Sequence, residues 1–77
     1  MPSVPPSDSV LARRRAIGAR IRDIRLRASL TQEKLAEMAG MDRQAVNRIE
    51  QGHQSPILDN LLRIADALDV PVADLVR

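Results

Sequence analysis

Several residue types are missing from this chain, and each absence narrows the problem. Cysteine is absent, which excludes disulfide staples, thiolate zinc sites and a thiol nucleophile. Phenylalanine, tyrosine and tryptophan are absent too, so any core must be built from Leu, Ile, Val, Ala and Met. Such a core suits closely packed short helices. The only histidine, His53, has no company from which to form a metal site and reads as a loop residue. No metal or cofactor is expected. No apolar run is long enough to cross a bilayer, and the N-terminus does not have the pattern of a signal peptide. A bacterial-type cytoplasm is therefore the expected compartment. No nucleophile–base pair, paired carboxylate site or phosphate-cradling glycine loop is visible, which argues against an enzyme.

What is present is 77 residues, one small domain, with an uneven charge distribution. Residues 1–48 hold ten Arg or Lys against five acids, and residues 49–77 hold two Arg against five acids. A basic half beside an acidic half points to one face for a polyanion and another for something else. Residues 1–9, MPSVPPSDS, are rich in Pro and Ser and read as a flexible arm. Asp8 or Ser9 is placed to cap the helix that follows. From Val10 to Ala28, Ile17, Ile21, Ile24 and Ala28 recur at helical steps and mark a buried face. Gly18 within this helix costs about 1 kcal/mol against alanine, which suggests close approach by another helix. Seven arginines crowd the same segment.

The stretch from Leu30 to Gly52 organises the rest. Leu30 suits a hydrophobic staple, and Thr31 is a natural N-cap. Leu35, Ala36 and Ala39 share a helical face, and Gly40 is a natural stop. Asp42 is a second N-cap candidate, Val46 and Ile49 form a narrow apolar stripe, and Gly52 is a second stop. The result is helix, turn and helix. Opposite the stripe, Arg43, Gln44, Asn47 and Arg48 crowd the start of the second helix. Arginine pairs bidentately with guanine, and Gln or Asn with adenine, in the major groove. After the loop His53-Gln54-Ser55-Pro56 the pattern is helical from Leu58 to Leu68, and Leu58, Leu61, Leu62, Ile64, Ala65 and Leu68 form a wider stripe than one core face needs. The helix is expected to break at Val70–Pro71, leaving a short helix over residues 72–76. The fold class is all-α, with five helices around one core and the globular domain spanning residues 10–77.

These residues resemble the phage-repressor (Cro/repressor, XRE-type) family of helix-turn-helix DNA-binding domains. The resemblance rests on Thr31-Gln32, Leu35-Ala36, Ala39-Gly40, Ile49-Glu50-Gln51-Gly52, Pro56, and Leu61, Ile64, Ala65 and Leu68, across residues 17–75. It implies a compact lambda-repressor-like domain whose second motif helix reads double-stranded DNA in the major groove. It implies base contacts by Arg43, Gln44 and Arg48. Asn47, pointing outward nearby, is a further base-contact candidate, and Ala45 is small enough to meet a thymine methyl. It places Gln32 on a phosphate, and Arg25 against Glu50 as an ion pair. Arg25, Gln54 and Ser55 are further phosphate candidates.

One such domain touches few base pairs, so a two-fold dimer on a near-palindromic operator is expected. Leu58, Leu62, Val72, Leu75 and Val76 are its expected interface. With no room for a ligand-sensing domain, no small-molecule ligand is expected. The resemblance extends to small stand-alone regulators such as restriction–modification controllers and antitoxins of this fold. The alternatives are a protein-interaction module and the DNA-binding piece of a longer regulator.

Overall fold

The structure, a computed structural model, describes residues 4–77. Among them the chain forms five helices and no strand: α1 (Asp8–Arg27), α2 (Gln32–Ala39), α3 (Arg43–Glu50), α4 (Leu58–Leu68) and α5 (Ala73–Val76). The first three residues of the expected arm lie outside the described residues. Helix α1 starts at Asp8 rather than Val10, because the Ser7 hydroxyl accepts the Val10 amide at 3.2 Å. Ser7 thus caps one position before Asp8 and two before Ser9, the two candidates.

Local chemistry fixes the motif. Thr31 Oγ1 accepts from the Lys34 amide at 2.9 Å, satisfying an orphan donor of α2. Gly40 closes α2 in the left-handed region at φ 67°, and Met41 N donates to Ala36 O at 2.8 Å. Nothing crowds the place of a Cβ on Gly40, so glycine is needed there for its backbone angle, not for space. Asp42 takes the extended N-cap conformation of α3, but its carboxylate accepts no cap hydrogen bond. Helix α4 spans Leu58–Leu68 as its apolar pattern indicates, with Asp69 at φ 57° closing it ahead of Pro71. One further end differs from the sequence reading: α5 begins at Ala73 rather than Val72.

The core consists of Ile21, Leu35, Ala36, Ala39, Val46, Ile49, Ile64, Ala65, Leu68 and Leu75. Ile17 and Ile24 pack at its edge, while Ala28, at the C-cap of α1, is exposed. Helix α1 lies against the C-terminal end of α3 with no space between the backbones at Gly18. A Cβ built there would stand 2.2 Å from Ile49 O and 2.8 Å from Glu50 O. Gly18→Ala is therefore expected to lower stability by about 1–3 kcal/mol through overpacking, even though alanine favours a helix by about 1 kcal/mol. A urea titration reads this directly; a neutral or stabilised variant would contradict the close approach.

Candidate nucleic-acid interface

Helix α3 is held from within. Val46, Ile49 and Glu50 are buried. Glu50 is 5% exposed and meets Arg25, 6% exposed, in a two-point ion pair. Arg25 Nε donates to Oε2 at 2.7 Å and a terminal nitrogen donates to Oε1 at 2.9 Å. The other terminal nitrogen donates to Leu30 O at 2.8 Å. The expected pair is present and buried. The hydrogen bond to Glu50 holds the Arg25 guanidinium more firmly charged than a free arginine; burial opposes this and the Glu50 charge adds to it. Arg25 as a phosphate contact is corrected by the same geometry, since its guanidinium is buried and bonded inside the protein on every nitrogen.

The pair extends into a relay. Gln32 Nε2 donates to Glu50 Oε1 at 3.1 Å, and Gln32 Oε1 accepts from Asn47 Nδ2 at 3.2 Å. The chain of bonds Arg25–Glu50–Gln32–Asn47 thus ties α1, α3 and the start of α2 together. Gln32 and Asn47 are half-buried, so Asn47 is less outward than its place in the sequence suggests. Each amide keeps one N–H in hand, because an amide nitrogen carries two.

Arg43, Gln44 and Arg48 are exposed. Among the described residues their side chains make no hydrogen bond or ion pair. They form a free, donor-rich surface on a helix whose other face is locked to the core. Ala45 is half-buried beside them. Ser55 is exposed and Gln54 half-buried. Both line a groove with Arg13, Arg14, Ile17 and Leu61.

The expected dimer surface divides. Leu58, Leu62 and Val76 are 67%, 41% and 46% exposed. Val72 packs half-buried against the core, and Leu75 is 0% exposed. Leu75 is therefore corrected from interface to core: its side chain is enclosed by the chain's own helices.

Two contacts of α1 were not legible in the sequence. Arg14 Nε donates to Gly52 O at 3.1 Å, and a terminal nitrogen of Arg20 donates to the Leu75 and Arg77 carbonyls. Both join residues distant in the chain, and no local pattern announces them.

A family model described as Helix-turn-helix matches residues 21–75. The transcriptional repressor RstR of the cryptic phage CTXphi of Vibrio cholerae is 36% identical over 58 residues, which is 75% of this chain and 52% of that protein. The chain thus spans about half of that repressor's length. The control protein C.BamHI of Bacillus amyloliquefaciens is 38% identical over 60 residues, covering 77% of this chain and 74% of that protein. The crystal structure of the restriction–modification controller protein C.AhdI of Aeromonas hydrophila superposes with a TM-score of 0.82 at 38% identity. That match covers 83% of this chain and 97% of that one.

Proposed function

We propose, from the premise that the chain belongs to the helix-turn-helix family, that it regulates transcription by binding double-stranded DNA. Its relatives are repressors and regulators rather than enzymes. The observation that carries this reading is the outer face of α3: Arg43, Gln44 and Arg48 are exposed and unpaired among the described residues, on a helix braced from behind by the Arg25–Glu50 pair. Such a helix fits the major groove with its N-terminal side chains at the base edges. Arg43 and Arg48 suit guanine, and Gln44 suits adenine.

Gln32, at the start of α2, takes a phosphate through its free N–H and so fixes register rather than sequence. Asn47, bonded to Gln32, contributes its remaining N–H and carbonyl oxygen nearby. Gln54 and Ser55 add phosphate contacts from the following loop. The protein acts as a homodimer on a near-palindromic operator with half-sites about one helical turn, ~34 Å, apart. The dimer forms through Leu58, Leu62 and Val76, with Val72 at its margin. A sedimentation mass that stays monomeric at high concentration would count against the dimer. Similarity to two control proteins favours a small stand-alone controller, acting in the cytoplasm on the nucleoid, over an antitoxin.

Arg43→Ala or Arg48→Ala is expected to cost about 1–3 kcal/mol of binding and to relax preference at one base pair. Gln32→Ala is expected to weaken binding evenly across sequences. Anisotropy titrations on a panel of operator variants separate the two profiles; the same profile for Arg48→Ala and Gln32→Ala would overturn the assignment. A module for protein contacts alone would bind no duplex at any salt concentration.

A further inference from the structure

The arginines of α1 fall into two groups. Arg25, Arg14 and Arg20 are bonded within the molecule, and Arg27 pairs with Asp23 at 2.9 Å. Arg13, Arg15 and Arg22 are exposed and have no ion-pair partner among the described residues. These three do not share a face. At 3.6 residues per turn, Arg15 and Arg22 point within about 20° of each other, and Arg13 lies roughly 160–180° away.

The contacts of α1 orient that flank. Gly18 and Arg25 meet the C-terminal end of α3, one against the Ile49 and Glu50 carbonyls and the other on the Glu50 carboxylate. Turning one way round α1 from that line leads to Ile21 and Ile17 and into the core. Turning the other way leads to Arg22 and Arg15. The flank therefore opens past the end of α3 on the side away from the core. Gly52 gives a second, independent placement. A Cβ there would stand 2.4 Å from Arg15 Cγ and 2.9 Å from its Cα. The Arg15 stem thus lies directly against the residue that follows α3, and its guanidinium extends outward from that point.

We propose that Arg15 and Arg22 form a second anion-binding track on α1 that holds the DNA phosphate backbone beside the recognition helix and reads no base. The proposal rests on the DNA-binding reading of α3 above. The two residues are seven apart, about 10.5 Å along the helix, too far to share one phosphate, so each meets its own. Each contact releases a counterion and should therefore appear in the salt dependence of binding rather than in sequence preference.

The test is anisotropy binding to a selected duplex and to a random-sequence duplex across a salt titration. The proteins are the parent, Arg15→Gln/Arg22→Gln, Arg15→Lys/Arg22→Lys, and Arg22→Gln alone. Glutamine keeps most of the stem that packs on Gly52, and Arg22→Gln alone keeps the test readable if the double variant misfolds. The expected result is a slope of log K against log salt reduced by about 2 in the double glutamine variant and by about 1 in Arg22→Gln. Both duplexes should weaken by the same factor, and the lysine variant should keep the parent slope. A parent slope in the glutamine variants would overturn the track, as would a changed ratio between the two duplexes. A parent that binds neither duplex would instead overturn the DNA-binding reading, and the track with it.

Discussion

Arg25→Ala and Glu50→Ala are each expected to cost about 3–5 kcal/mol of folding stability. Both groups are almost fully buried, and each is the other's main partner. Removing Arg25 leaves a buried carboxylate whose one remaining side-chain donor is Gln32. Removing Glu50 leaves a buried guanidinium with only the Leu30 carbonyl. Either loss is large because an ion taken out of water stays there without its counter-charge. For a domain of this size, a loss of 3 kcal/mol lowers the melting temperature by roughly 12 °C or more. The double variant Arg25→Ala/Glu50→Ala should lose clearly less than the sum of the singles, because neither charge is stranded. Thermal or urea melts of the four proteins give the coupling, and additive effects would refute the pair. The consequence reaches function, since Glu50 is the last residue of α3 and also orients Gln32. DNA binding should therefore weaken in the single variants even at temperatures where they remain folded.

Leu75→Ala is expected to cost about 2–5 kcal/mol, read as destabilisation of the single chain rather than as loss of self-association. Helix α5 has four residues and no side-chain cap, so local structure does little to hold it in place. What anchors it is one fully enclosed leucine, together with the Arg20 bonds to the terminal carbonyls. Truncation leaves a cavity that a short tethered helix fills only in part. Urea denaturation at low protein concentration measures the effect, and sedimentation should show unchanged association. The comparison variants are Leu58→Ala and Leu62→Ala. Both side chains are exposed in the single chain, so stability should change by no more than about 0.5 kcal/mol while association weakens. Unchanged stability in Leu75→Ala with altered mass would reverse the assignment.

These two residues also mark what the sequence discloses and what it does not. The motif was legible because its signals are local. Thr31 caps within three residues, Gly40 turns within one, and the Val46 and Ile49 spacing shows which side of α3 faces inward. The Arg25–Glu50 pair followed from the family resemblance. Its burial did not, and with burial went any place for Arg25 on a phosphate. Leu75 and Val76 are adjacent apolar residues at the chain end, and periodicity over four residues cannot separate the one that enters the core from the one that faces solvent. Asp69 closes α4 in a left-handed conformation that favours glycine, which its residue type does not announce, yet the apolar stripe ending at Leu68 and the proline after it are local signals and mark the helix end. Asn47 sits where the helical wheel points it outward, but the wheel carries no information on Gln32, which arrives from another helix. Arg14 and Arg20 reach partners far along the chain, where no spacing rule applies.

The most direct test of the central claim is equilibrium binding by the parent and by an Arg43→Ala/Gln44→Ala/Arg48→Ala variant. The ligands are duplexes recovered by the parent from a random-sequence pool. The account predicts that the parent enriches one near-palindromic sequence, and that the triple variant melts as the parent does and binds all duplexes weakly and alike, with its salt dependence retained. A triple variant that kept the parent's sequence preference would show that the outer face of α3 is not what reads DNA.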